Sequence, residues 1–299
     1  MSFEAYQIKK GLGTYIAMRN AKHVDHFLRW IKSDAAQTTY PDLINYLEHL
    51  RKAHPTPSTL QKKTTALKHY FDYLIAEKHM DRNPARHLNI RTSQDRKRYH
   101  LLTKEQLEQL YHHYRTTPKP QWTTTSKLTA LRRKLTLGLM VWQALEVTTL
   151  SKLSIKDVHL DKGIIKVIGG RKFKARTLTL QSAQIMELYQ YVETIHPQLV
   201  AEMNPIDPNL LLVFGGKDYY DAHRVLVKDL KEQHPFLTSI SGGIPKQIRA
   251  SVITLWLKQY NLREVQYMAG YRHVRSVEAY LQSDIESLQA DIDRFFPLG

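Results

Sequence analysis

Two cations and a phenol late in this sequence are spaced for work on a phosphate. Lys246 and Arg249 lie three apart at the start of an apolar-periodic segment that begins at Ile244, so on a helix both can point at one anion. A second helical segment, Leu262–Ala269, ends at Gly270-Tyr271, and Tyr280 follows nine residues beyond Tyr271. A guanidinium donates bidentately with a fixed charge, and an ammonium adds a compact point charge. A phenol, with a pKa of about 10, attacks poorly until the phosphate is polarised and the leaving oxygen is protonated. Further upstream, Arg171, Lys172 and Lys174 cluster just after Gly169-Gly170.

Length and composition bound what must carry these residues. The 299 residues suffice for two domains of ordinary size, and 42% hydrophobic residues with only 12 Gly and 12 Pro suit a folded, helix-rich chain. The formal net charge of +16 points to a polyanionic partner, nucleic acid first. No run approaches the 18 or so apolar residues of a membrane span, and MSFEAYQIKKGLGTY holds no apolar core of the kind a secretory leader needs. The absence of cysteine excludes disulfides, thiolate metal sites and a Cys nucleophile, and fits a reducing cytoplasm. The 15 histidines match no metal-ligand spacing, and no glycine-rich nucleotide loop occurs, so neither metal nor cofactor is expected.

The elements read as two helical blocks around a basic hinge. In 1–90, Thr14–Ile31 carries Ile16, Val24, Phe27, Leu28 and Ile31 as a helical stripe. Tyr40-Pro41-Asp42 opens a second helix with Leu43, Tyr46, Leu47 and Leu50 on its face. Ser58 or Thr59 is positioned to cap a third, which buries Leu60, Leu67, Tyr70, Phe71, Leu74 and Ile75 and leaves Lys62, Lys63 and Lys68 to face phosphates. Asp81-Arg82-Asn83-Pro84 ends this block. From Arg51 to His100 there are 12 Lys/Arg against 4 Asp/Glu, a net of +8 out of +16. This run leads into the linker 91–100, where Arg96, Lys97 and Arg98 can lie along a DNA backbone. In 101–299, Thr103 and Gln106 have capping-box spacing for a helix, Leu128–Val141 is strongly apolar, and 163–180 alternates as a short antiparallel hairpin around Gly169-Gly170. Helix returns over Ala183–Ile195 and predominates after Gly216.

The stretch from Ile244 to Tyr280 resembles the C-terminal signature of the tyrosine recombinase/integrase family. There a His/Lys-x-x-Arg box, a Gly-His box and a tyrosine nine residues on surround one DNA phosphate. Asn83-Pro84-Ala85 and the helices before it are similar to that family's N-terminal clamp. The resemblance implies a mainly α protein: an N-terminal core-binding, SAM-like bundle (1–90) and a mostly α catalytic domain (101–299) with a small antiparallel β-hairpin. It implies Tyr280 as nucleophile forming a 3′-phosphotyrosyl link, and Arg249 and Lys246 as phosphate ligands. Lys172 on the hairpin would be the acid for the 5′ oxygen, Lys174 the next choice, and Arg171 a phosphate contact. The terminal helix beginning near Asp284 would dock on a neighbouring copy.

Two positions depart from that signature. Ala144-Leu145-Glu146 stands where the family has Gly-Leu-Arg, which puts a carboxylate where the first arginine is expected. Either Glu146 turns away and pairs with a neighbouring cation, or the site is inactive, since an unpaired buried charge beside a phosphate costs several kcal/mol. Arg132, Arg133, Arg272 and Arg275 are the available substitutes. Tyr271 replaces the histidine of the Gly-His box; a phenol donates to a phosphate oxygen but does not shuttle protons at neutral pH, and His273 lies close by in sequence. The expected activity is site-specific DNA breakage and rejoining for a mobile element, with a catalytically inactive accessory DNA-binding protein as the rival. The expected partners are duplex DNA, further copies of the chain forming a tetramer on paired sites, and DNA-bending accessory proteins.

Overall fold

Ser2 starts the first helix, its hydroxyl accepting from the Ala5 amide at 3.2 Å. Helix α1 (Phe3–Lys9) went unread in the sequence; α2 (Thr14–Ile31) and α3 (Tyr40–Ala53) run where the apolar stripes place them. At α3 the Asp42 carboxylate accepts from both the Thr39 amide (2.9 Å) and hydroxyl (2.6 Å), closing the first turn. Helix α4 (Pro57–Ala76) starts two to three residues earlier than expected, with Pro57 in the first turn. Proline is preorganised there and has no amide to orphan, so Ser58 and Thr59 lie inside the helix rather than capping it. The inward faces bury Phe27, Leu43, Tyr46, Leu50, Leu67 and Phe71. Asn83 fastens the following segment to α4: its amide nitrogen donates to the Lys68 carbonyl (2.9 Å) and Asp72 (2.7 Å).

The computed structural model describes residues 1–53, 56–90, 100–116, 123–170, 173–215, 219–237 and 243–281. It divides the chain into two units, Met1–Asp95, which holds α1 to α4, and Arg96–Gly299. Of the expected linker, all but His100 lies outside the described residues, Arg96, Lys97 and Arg98 included. The expected terminal helix near Asp284 lies outside them as well.

In the second unit, α5 (Lys104–His112) carries the expected capping box, Thr103 with Gln106. Helix α6 (Thr124–Gln143) is buried at every position from Leu135 to Val141, which is the pattern of a central core helix. It packs against α5, α8 (Ser182–Gln190), α9 (His196–Met203) and α11 (Ile244–Leu257). The three cations that interrupt its sequence each have an acceptor. Arg132 donates to the Val213 carbonyl and stacks on Phe214 at 4.2 Å; Arg133 pairs with Asp229 at 3.0 Å and Lys134 with Glu187 at 2.6 Å.

After α6 come the short α7 (Val147–Leu150) and an antiparallel sheet in the order β1 (Val158–His159), β2 (Ile164–Val167), β3 (Arg176–Thr179). The expected hairpin is present as β2–β3, with Val167 opposite Arg176 and Ile165 opposite Leu178; β1 adds a strand the sequence did not suggest. The expected helix 183–195 is α8 followed by a π-helical turn, Tyr191–Ile195, that runs on into α9. The unit is completed by α10 (Tyr219–Gln233), α11, α12 (Leu262–Ala269) and α13 (275–281). Among the described residues no helix is long and apolar enough to cross a membrane.

Gly138 gives this core a test with opposed terms. A Cβ there would lie 2.7 Å from the Tyr111 ring, and that ring is buried with its hydroxyl donating to Glu187 at 2.7 Å. Helix propensity favours alanine over glycine by about 1 kcal/mol, but overpacking a fixed ring costs ~1–3 kcal/mol. Gly138→Ala is therefore expected to lower the unfolding free energy in denaturant titration; a gain in stability would mean that the ring yields freely.

Candidate active site

Three chain reversals meet at Arg249. The first is the end of α6, where Ala144 adopts a left-handed conformation (φ 50°, ψ 33°) and its amide donates to the Leu139 carbonyl. The second is the end of α12. Gly270 (φ 76°) donates to the Tyr267 carbonyl at 2.9 Å and Tyr271 to the Gln266 carbonyl at 3.0 Å, a Schellman closure. The third is the start of α11, where Arg249 lies one turn into the helix. Only 5% exposed, Arg249 donates from Nη1 to the Ala144 carbonyl and from Nη2 to the Ala269 carbonyl at 2.8 Å. One guanidinium thus satisfies carbonyls at two helix ends that would otherwise lack partners. Its Nε makes no hydrogen bond among the described residues, although Glu146 Oε1 stands 3.4 Å away as an ion-pair partner.

The hairpin is laced to the α12 reversal. Lys174 donates its amide to the Gly270 carbonyl (2.8 Å), and Thr177 donates its amide to the Tyr267 hydroxyl (3.0 Å). Phe173 and Tyr271 form an isolated antiparallel bridge. The Arg249 guanidinium carbon lies 5.1 Å from the Tyr271 ring centre and 5.4 Å from that of Phe173, both within cation–π range. The Tyr271 and Tyr280 hydroxyls share a hydrogen bond of 2.8 Å in which either can donate. Beside the hairpin, a cleft of about 490 Å³ is lined by Glu146, Thr148, Lys152, Gly169, Gly170 and Phe173.

Of the residues expected from sequence, Arg249, Tyr271 and Tyr280 come together. Lys246 is exposed on the same helix as Arg249, and Lys174 is exposed on the hairpin arm. Arg171 and Lys172 lie outside the described residues. Glu146 does not turn away: its partner is Arg249, the cation expected to hold the phosphate. Arg132 and Arg133 are committed to the Val213 carbonyl and to Asp229. Arg272 donates to the Gly170 carbonyl at 2.8 Å, while Arg275 and His273 are exposed. In the first unit Lys62 is exposed and Lys68 half-buried, but Lys63 is only 6% exposed. Burial holds the Lys63 ammonium below its usual pKa, which corrects its expected place on a phosphate-facing surface. Among the described residues no group of three or more His, Asp or Glu is arranged to hold a metal ion.

Arg176 was missed in the sequence. It enters the cluster from β3, is 5% exposed, and has an Nε without a hydrogen-bond partner among the described residues. Burial, and then the charge of Arg249, push its pKa down to about 10, with Glu146 opposing. The available signal was strand alternation: Arg176, Leu178 and Leu180 share one parity, and an arginine on the inward parity is unusual.

Comparison with known proteins agrees with this architecture. The model of the Phage integrase family matches residues 100–287, and that of the phage integrase N-terminal SAM-like domain matches 7–78. The tyrosine recombinase XerD of Oceanobacillus iheyensis is 22% identical over 284 residues, covering 93% of this chain and 91% of that protein. XerC of Herpetosiphon aurantiacus is 25% identical over 285 residues, covering 93% and 88%. Among solved structures, the XerH recombinase bound to a palindromic difH substrate superposes with a TM-score of 0.69 at 17% identity, covering 96% of this chain and 82% of that one. The lambda integrase (75–356) dimer on a core site gives 0.63 at 13% identity, covering 93% and 92%. At these identities the superpositions establish the fold.

Ala144 stores strain where its carbonyl must face Arg249, since a left-handed backbone costs a residue with a Cβ about 1–2 kcal/mol. Ala144→Gly relieves that strain and gives back about 0.5–1 kcal/mol through the looser unfolded chain. The expected net is a gain of up to ~1 kcal/mol in thermal or denaturant unfolding; a loss would show that the Cβ packs favourably enough to outweigh the backbone.

Proposed function

We propose a function from one premise: this chain belongs to the phage integrase family. It is a site-specific DNA recombinase that breaks and rejoins duplex DNA through a bond between Tyr280 and a 3′ phosphate, in the service of a mobile element. The observation that carries this reading is the Tyr280 hydroxyl held 2.8 Å from the Tyr271 hydroxyl, whose ring lies against the Arg249 guanidinium. A nucleophile and a buried cation therefore share one wall.

In the forward step the Tyr280 oxygen bonds to phosphorus as the bond from phosphorus to the 5′ oxygen breaks. The phenolic proton is lost to solvent as the Tyr280 oxygen attacks, and the Tyr271 hydroxyl, hydrogen-bonded to that oxygen, orients it. The departing 5′ oxygen takes up a proton and leaves as a hydroxyl, with Lys172 as the acid and Lys174 as the second candidate. Reversal, with a 5′ hydroxyl from another strand, restores the phosphodiester and the free phenol. No external energy is needed, because the tyrosyl ester preserves the bond. Arg249 and Lys246 hold the non-bridging oxygens, on which charge builds in the transition state. The partner is duplex DNA, met by Lys62 and Lys68 in the first unit and by Arg96, Lys97, Arg98, Arg171 and Lys174 beyond it. Joining ends from two sites calls for several copies, a tetramer linked by the terminal segment, assisted by DNA-bending proteins.

One observation favours a second reading, a DNA-binding relative without catalysis: Glu146 already pairs with Arg249. The two readings separate in one experiment. Nicked fragments of the DNA flanking the protein's own gene are incubated with wild-type and Tyr280→Phe protein and examined for detergent-resistant adducts. The recombinase reading expects adducts with wild type only, and equal, salt-sensitive DNA binding by both proteins. Binding by both with no adduct on any fragment would establish the non-catalytic reading.

A further inference from the structure

The geometry points to Arg176 as the second guanidinium of the phosphate site, a catalytic residue that restores the positive charge lost where Glu146 replaces an arginine. The inference rests on the phosphate site proposed above and names a residue that neither the sequence signature nor the comparisons assign.

Arg249 and Glu146 form an ion pair, so alone they present no net charge to an anion. A phosphodiester carries one negative charge and gains more on its equatorial oxygens as the tyrosine attacks. A neutral pair at the buried floor of the site does little to favour that change, whereas each well-aimed donor there is commonly worth about 100- to 1000-fold in rate. Arg176 brings the buried cluster Arg249, Glu146 and Arg176 to +1. Arg249 and Glu146 are both close enough to act electrostatically on Arg176.

A buried guanidinium normally has its donors occupied, because an unpaired one is costly. Here the Nε atoms of both Arg176 and Arg249 are buried without a hydrogen-bond partner among the described residues, and Arg176 Nη1 reaches only the Lys174 carbonyl at a long 3.4 Å. Two neighbouring guanidiniums therefore keep donors available to an oxyanion.

Arg176 comes close to the α12 reversal at Gly270, where a Cβ would lie 2.7 Å from its guanidinium carbon. Arg176 approaches the Ala269-Gly270-Tyr271 turn through this gap while Arg249 binds the Ala269 carbonyl of the same turn. The other arginines are placed for different work. Arg132 and Arg133 anchor α6, Arg272 is tied to the Gly170 carbonyl, and Arg275 is exposed.

The test separates a charge acting on phosphate from a side chain that merely packs. Nicked fragments carry either the natural phosphodiester or a methylphosphonate, which lacks one negative charge, at the cleaved position. Arg176→Ala is expected to lower the rate of adduct formation on the phosphodiester about 100-fold but only a few-fold on the methylphosphonate, relative to wild type. Arg176→Lys, which keeps the charge, recovers part of the phosphodiester rate. Equal losses on both substrates would overturn the proposal and leave Arg176 as packing beneath Gly270. A second measurement needs no catalysis. In Tyr280→Phe protein with nitrogen-15-labelled arginine, titration with inorganic phosphate should shift the Nε–H resonances of Arg176 and Arg249 with one common midpoint. A shift of Arg249 alone, or of neither, overturns the assignment. Failure of wild type to form any adduct would sink the recombinase reading, while the phosphate titration still decides whether Arg176 faces an anion.

Discussion

A guanidinium buried in protein must find acceptors for its donors, and the way Arg249 does so organises the second unit. Its two terminal nitrogens take the carbonyl of Ala144, which caps α6, and the last carbonyl of α12, so one side chain on α11 ties together the ends of two other helices. Those carbonyls are groups that helix geometry leaves unpaired and that carry partial negative charge. Left-handed backbone at Ala144 and at Gly270 turns the chain where the carbonyls of Ala144 and Ala269 meet the arginine. Tyr271, the first residue after the second reversal, is thereby set against Phe173 and beside Tyr280.

Electrostatics inside the site are a balance rather than a plain excess of positive charge. Arg249 and Arg176 are both nearly inaccessible to solvent, and two like charges at such burial repel strongly unless a counter-charge is present. Glu146 supplies it. The carboxylate that looks like a defect when the sequence is read against the family signature therefore acts as an internal counterion for the two guanidiniums. Burial first, and the charge of Arg249 second, hold the Arg176 guanidinium below its usual pKa, with Glu146 opposing.

Much of the fold was legible because it rests on local periodicity. The helical stripes of α2 and α3, the capping box at Thr103 and the span of α12 are written in residues a few positions apart. The first turn of α4 was misread because a proline at the helix start competes with the better-known hydroxyl caps. Strand β1, only two residues long, carries too little pattern to be recognised without β2 beside it. At the site, spacing drew Arg249, Tyr271 and Tyr280 together because they belong to one contiguous stretch. Arg176 comes from 73 positions before Arg249 (249 less 176), and only sheet pairing and the bare Gly270 bring it close. Lys63 shows the opposite failure: a lysine among lysines on α4 looks solvated, yet its stem faces inward.

The pairing of Val167 with Arg176 has a consequence for how such a chain can diversify. The strand ladder sets the position of Arg176 by registration against β2, independently of how many residues connect the two strands. Insertions or deletions between them would change the reach of the connecting arm while the guanidinium stayed in its place. Variation in what the arm meets and inheritance of the chemistry can then proceed as separate evolutionary lineages of change within one hairpin.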